Sequence, residues 1–167
     1  MNSASTTNTA AALRFAMMRA QDVEEVVAIE KDAYPFPWTR GNFLDSLAIR
    51  YDAWTLRDAD ARLAGYFLLM HAVDETHLLN ITVRPDLHGR GFGRMLLDKV
   101  IQLALNANMQ SVLLEVRPSN EHALAVYRHC GFQQIGIRKH YYPAGAVLRE
   151  DAIVMRLMLE GHGGHGD

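Results

Sequence analysis

Residues 88–94, His-Gly-Arg-Gly-Phe-Gly-Arg, place three glycines and two arginines in seven positions. Pro85 turns the chain just before them, and an apolar-periodic stretch begins at Phe92. A glycine-rich turn that opens a helix suits an anion. The first helical N–H groups have no intrahelical partner, and the positive end of the helix dipole lies on them. Gly89, Gly91 and Gly93 allow a ligand close to the backbone, because no Cβ intervenes. Arg90 and Arg94 add charge-assisted donors. Two other phosphate loops do not fit. The turn lacks the Lys-Ser/Thr ending of a Walker A loop, and Gly91-Phe92-Gly93-Arg94-Met95-Leu96 lacks the last glycine of the dinucleotide fingerprint. The competing reading is a glycine-rich helix start with no ligand.

Other residues with chemical potential are more ambiguous on their own. Glu115 sits in an apolar strand, where an alternating position can simply face outward. Tyr127, taken alone, reads as a core aromatic with a satisfied hydroxyl. Cys130 precedes Gly131 at a helix end and reads as a small packed residue rather than a nucleophile. His77 reads as structural. Phe36, Trp38, Tyr141 and Tyr142 lie beside prolines, in segments expected to be loops, and are candidate walls for a substrate. His162 and His165 lie among glycines in residues 161–167, too few ligands for a closed metal site, so no metal is expected.

The elements that must position these residues follow from patterning. Residues 15–18 read as a first strand. Residues 22–33 read as a helix, with Val23, Val26, Val27 and Glu30 spaced three to four apart and acidic residues in the first turn. Pro35 and Pro37 break it, and Thr39 caps a second helix through Leu47. Strands are expected over 53–56, 63–73 and 76–83, joined by short links and therefore antiparallel. Phe92–Asn106 is a strongly amphipathic helix whose buried face is read as Leu96, Leu97, Val100, Ile101, Ala104 and Leu105. Ser111–Val116 is a strand that can run parallel to 76–83, because a full helix separates them. A helix over 120–129 is closed by Gly131. Strands over 132–140 and 152–159 are joined by a loop that contains Tyr141, Tyr142 and Pro143. The expected fold is one α/β domain, a mixed and mostly antiparallel seven-stranded sheet with about four helices on its faces.

Composition narrows the function classes. The chain has 167 residues, 49 % of them hydrophobic, and a formal net charge of -2. That balance argues against bulk electrostatic binding of nucleic acid, and direct nucleic-acid binding is not expected. One cysteine permits no intrachain disulfide, in keeping with a reducing, cytoplasmic setting. No apolar run approaches a membrane span, and no membrane partner is expected. Residues 1–12 are Ser, Thr, Asn and Ala in the main. They read as a disordered lead, residues 13–160 as the folded domain, and 161–167 as a flexible tail.

The turn at His88-Gly89-Arg90-Gly91-Phe92-Gly93 resembles the signature Gln/Arg-x-x-Gly-x-Gly/Ala of the GNAT superfamily of N-acetyltransferases. The likeness runs from about Phe15 to Leu159. It is strongest to one branch, the ribosomal-protein-alanine N-acetyltransferases of RimI type. The blocks that carry this are residues 34–38 (YPFPW), 114–120 (LEVRPSN), 125–127 (AVY), 132–138 (FQQIGIR), 140–143 (HYYP) and 149–152 (REDA).

This resemblance implies acetyl-CoA as co-substrate. Its pyrophosphate would lie on Gly89, Arg90, Gly91, Phe92, Gly93 and Arg94, and its pantetheine arm along Ile81, Thr82 and Val83. Asn120 matches a further acetyl-CoA contact. His88 stands where Gln or Arg is usual and Gly89 where a basic residue is frequent, so backbone contacts are expected to carry the phosphates there. The resemblance also implies that Glu115 is the base, that Tyr127 donates a proton to the departing thiolate, and that the partner is a protein whose N-terminal α-amine accepts the acetyl group. Lysine or a small amine as acceptor, or an acetyl-CoA-binding module without turnover, are the alternatives.

Overall fold

A computed structural model describes residues 12–143 and 149–160. The N-terminal lead up to residue 11 and the histidine-containing tail fall outside the described residues. Strands β1 (Arg14–Met17), β2 (Asp52–Arg57), β3 (Leu63–Ala72), β4 (Glu75–Val83), β5 (Ser111–Val116), β6 (Gln133–Pro143) and β7 (Arg149–Met158) form one sheet in the order β1-β2-β3-β4-β5-β7-β6. Among the described residues only β4 and β5 pair in parallel. Four helices cover the sheet: α1 (Val23–Ala33), α2 (Arg40–Ala48), α3 (Phe92–Asn106) and α4 (Glu121–His129). No helix among the described residues is long and apolar enough to cross a membrane.

Two cores result. Alternation along the strands sends Phe67, Leu69, Leu78, Val112, Leu114 and Val116 to one face, against Leu96, Leu97, Val100 and Ala104 of α3 and Leu124 of α4. Tyr66 and Leu68 go to the other face, with Val23, Val26 and Ile29 of α1 and Phe43 of α2. Thr39 caps α2 by accepting the Asn42 N–H at 3.1 Å, and Asn42 returns a bond to the Thr39 N–H.

The structure corrects two expectations. Leu105 is exposed at the end of α3 and is not part of the buried stripe. It stands five residues after Val100, which turns it away from the face that Val100 and Ala104 define, and Leu103 packs on the core instead. Tyr141, Tyr142 and Pro143 are not a loop. They finish β6, where Tyr142 pairs with Glu150 and Pro143 with Arg149. β6 is the last strand of the sheet, so a proline there removes no ladder bond that the sheet needs.

The feature that makes a site is where β4 and β5 stop pairing. Their register runs from Glu75↔Ser111 to Leu78↔Leu114 and ends. β4 continues to Val83 on the arm of β3 alone, past an extra residue at Leu79 that bends it. The loose edge of β4 is held from the β3 side at Gly65, which pairs with Val83. A Cβ on Gly65 would stand 2.7 Å from the Thr82 carbonyl oxygen and 3.0 Å from Leu96 Cδ1. Gly65→Ala must therefore push β4 away from β3 or α3. We expect a loss of about 1–3 kcal/mol, the usual cost of overpacking, read as a lower urea midpoint at unchanged slope.

Candidate active site

Two cavities flank the parted strands. The first, of ≈ 900 Å³, opens over the glycine-rich turn between the end of β4 and the helices α3 and α4. Gly91 is the N-cap of α3 at φ 84°, and Gly89 lies at φ 78°. Both are in the left-handed region, where a side chain is strained. At either glycine an added Cβ would meet nothing within 4 Å. Among the described residues no contact accounts for these two glycines, and the space beside them is open to a ligand. The donor set, a bare backbone turn at the start of a 15-residue helix with Arg94 in the wall, fits a pyrophosphate.

Nine of the expected cofactor-side or catalytic positions line this cavity. They are Ile81 and Val83 on β4, Gly89, Gly91, Phe92, Gly93 and Arg94 at the turn, and Asn120 and Tyr127 on the α4 side. Two expected cofactor positions do not. The Thr82 side chain is buried, donating to Asn80 Oδ1 at 2.8 Å, which leaves only its backbone for a ligand. Arg90 stands outside the lining. His88 turns back to Val83, with Nε2 3.0 Å from its carbonyl oxygen, and stacks on His122 with ring centroids 5.9 Å apart. Arg94 pairs with Asp98 at 3.0 Å. Cys130 is in the wall, and burial pushes its thiol up despite Arg94 nearby, which disfavours a thiolate.

The second cavity, of ≈ 560 Å³, lies on the α1 side of the same gap. Val112, Leu114 and Val116 point into the α3 core, so Glu115 faces the opposite side of the sheet and lines this second cavity. Phe36 and Trp38 line it as well. Glu115 Oε1 lies 3.2 Å from Arg138 Nε, and the Arg138 guanidinium lies 5.4 Å from the Tyr141 ring centroid. Burial pushes the Tyr141 hydroxyl up, and Glu115 beside it adds to the shift. Tyr141 thus reaches the Glu115 neighbourhood through β6 without entering the wall of either cavity. Tyr142 is described as backbone only, and its side chain falls outside the described residues.

The two cavities share Tyr34, Pro35, Ile81, Arg117, Asn120 and Tyr127. Tyr127, 8 % exposed, packs on Phe132 with ring centroids 5.8 Å apart. Asn120 caps α4 by accepting the Ala123 N–H at 3.3 Å. The turn before it is pinned from β7. Glu150 accepts from the Ser119 N–H at 2.7 Å and its hydroxyl at 3.0 Å, and lies 3.5 Å from Arg117.

Sequence reasoning missed the back wall of the junction. The Tyr34 hydroxyl donates to the Ile81 carbonyl at 2.9 Å and lies 3.0 Å from Thr82 Oγ1. Burial pushes it up to about 12, so it stays protonated at any working pH. Behind it, Glu30 of α1 is 2 % exposed. It accepts from the Tyr66 hydroxyl, from Asn80 Nδ2 at 3.2 Å to each oxygen, and from the Trp38 N–H at 3.2 Å. Tyr34 stands beside a proline in the YPFPW block, the one signal that could have marked it; Glu30 looked like another position on the buried face of α1.

The family model described as acetyltransferase (GNAT) family matches residues 23–132. The [ribosomal protein bS18]-alanine N-acetyltransferase of Salmonella typhimurium is 38 % identical over 143 residues, 86 % of this chain and 95 % of that one. The crystal structure of the ribosomal-protein-S18-alanine N-acetyltransferase from Escherichia coli superposes with a TM-score of 0.83 at 32 % identity, covering 93 % of this chain and 99 % of that one. A spermidine N-acetyltransferase from Vibrio cholerae, solved with CoA and spermine, shares the fold with a TM-score of 0.74 at 18 % identity, covering 89 % and 96 %. Gly91→Asp, which puts strain, bulk and a like charge at the turn, is expected to weaken acetyl-CoA binding about tenfold or more, measured by calorimetry, with the fold retained by circular dichroism. Undiminished binding would remove the phosphate assignment from the turn.

Proposed function

Because the chain belongs to the acetyltransferase (GNAT) family and is an acetyl-CoA-dependent N-acetyltransferase, we propose that its acceptor is the N-terminal α-amine of a protein, and specifically the N-terminal alanine of the small-subunit ribosomal protein in the names of its relatives. The observation that carries this reading is the meeting of two cavities at Tyr127, with Glu115 facing only the second. A cofactor arm on one side and an amine on the other would approach each other through the parted strands.

Acetyl-CoA, when bound, supplies an activated acyl carbon and a thiolate leaving group. The chain's own residues then have separable tasks. The backbone of the Gly89–Gly93 turn and Arg94 hold the phosphates, and the unpaired edge of β4 from Leu79 to Val83 offers N–H and C=O groups to the arm. On this proposal Glu115 takes the proton that the amine nitrogen loses as it bonds to the acyl carbon, directly or through water. The Tyr127 hydroxyl returns a proton to sulfur as the C–S bond breaks. A β4 backbone N–H meets the oxyanion. Phe36 and Trp38 form the wall against which the peptide's first residues lie. The setting is a cytoplasmic one, where nascent ribosomal proteins are found.

An α-amine suits this equipment. Its pKa is about 7.7–8.0 against about 10.4 for lysine, so near pH 7 about a tenth of α-amines are already neutral and fewer than about one lysine in a thousand. One modest carboxylate serves the first far more easily than the second. Tyr127→Phe keeps the ring packing and is expected to lower kcat by about 10²-fold or more while the unfolding midpoint holds. Glu115→Gln should cut turnover at neutral pH with acetyl-CoA affinity intact, and part of the loss should return at higher pH, where solvent deprotonates the amine. A peptide with a free N-terminal alanine should be acetylated, and its N-terminally blocked counterpart, lysines included, should not. Efficient modification of the blocked peptide at lysine would overturn the α-amine reading.

A further inference from the structure

We propose that Glu30 is the charge that selects a cationic acceptor: its buried carboxylate, in the wall of the second cavity and in no ion pair among the described residues, draws the acceptor in as an ammonium. This rests on the reading that the second cavity seats the amine, and adds the form in which the amine first binds; the ammonium gives its extra proton to solvent before the nitrogen attacks, and Glu115 takes the one lost on bonding.

Three charged residues line that cavity, Glu30, Glu115 and Arg117. Two are already compensated. Glu115 has Arg138 at 3.2 Å, and Arg117 has Glu150 at 3.5 Å. Glu30 makes no ion pair among the described residues, and its partners are all neutral: a phenol, an amide and a backbone N–H. Each of them gives a hydrogen to the carboxylate. Thr82 donates to Asn80 Oδ1 at 2.8 Å, which fixes the amide with its NH₂ toward Glu30. An ionised Glu30 uses every donor present, whereas a protonated one would reverse one bond and give its own hydrogen to the Tyr66 oxygen. The donors thus favour the anion, and burial opposes it, leaving the carboxyl raised above its ordinary value.

A carboxyl whose pKa is raised by folding costs stability wherever it is held ionised. A buried anion without a countercharge is a poor means of holding a fold together. Its field is strong instead, because low-dielectric surroundings screen it little, and the cavity beside it is where the field ends. The same three partners tie α1 to β3, to β4 and to Trp38, so the charge is fixed relative to the wall that the acceptor meets.

The test compares two ligands that differ only in charge, an alanine-initiated peptide and the same peptide with an N-terminal hydroxyl in place of the amine. At neutral pH the protein with CoA bound should bind the amine form about tenfold more tightly. Glu30→Gln should lose most of that preference with acetyl-CoA affinity unchanged, and Glu30→Met, of similar volume and uncharged, gives the same readout if the glutamine amide fails to pack. In Glu30→Gln/Asn80→Asp the charge moves one hydrogen bond away, and the preference should return. Tyr66→Phe loosens the cluster but keeps the charge, so it should retain the preference. A role in shape alone predicts that these variants weaken both peptides equally, and that outcome overturns the proposal. So does a wild-type protein that binds both peptides alike, or a Glu30→Gln protein that keeps the wild-type ratio while still acetylating α-amines. Acetylation of lysine in blocked peptides would instead strike the α-amine reading and leave the charge comparison to be made with that amine.

Discussion

The sheet works because two neighbouring strands stop being neighbours. β4 and β5 are paired as far as Leu78 and Leu114, and beyond that point each goes its own way. A parallel pair in the middle of a sheet ordinarily continues, since every unmade ladder bond leaves a donor and an acceptor exposed. Here the extra residue at Leu79 bends β4 while β3 still holds it, so the edge is left open yet firmly placed. Both cavities and the residues common to them follow from that one interruption. The glycine turn is the continuation of the same bent strand, through Pro85 and into α3.

An open edge needs support from the side, and the two faces supply it differently. On the α3 face, apolar packing by Ile81 and Val83 holds β4. On the α1 face the support is polar: Tyr34 reaches Ile81 and Thr82, and Glu30 gathers Tyr66, Asn80 and Trp38. Among the described residues no buried side-chain polar atom lacks a partner. Polar networks of this kind specify one arrangement more sharply than apolar packing does, because a half-made network is costly. The polar side is also the side on which Glu115 faces.

Much of this was legible in the chain. α3 and β5 begin and end where hydrophobic period, Pro85 and the glycines say they should, since local signals set their limits. The glycine turn itself was readable because its requirement is local too: positive φ at Gly89 and Gly91. The misses lie where partners are far apart in sequence. Glu30 has the spacing of a buried helix position, which is correct, but its partners stand 8, 36 and 50 residues away, and no periodicity records them. Thr82 shows the same limit: its side chain joins the Asn80 network, a partner that strand alternation alone does not name, while its backbone stays on the open edge. Pro143 looked like the mark of a loop, a rule that holds inside a sheet and lapses on its last strand.

That last strand has a consequence for the molecule among its own copies. β6 is eleven residues long, lies at the free border of the sheet, and carries exposed Ile135 and Ile137. A long, oily border strand, if unbroken, is a template for strand addition by another chain. Between Arg138 and Tyr142 its register with β7 is broken, His140 sits at φ 54°, and Asp151 clamps the irregularity through the His140 N–H at 2.9 Å and Lys139 at 3.5 Å. With a second register shift between Gln134 and Gly136, the irregularity breaks the border into short pieces and sets a charged lysine at one joint. The bulge beside Arg138 and Tyr141 therefore also interrupts the edge that an added strand would have to follow.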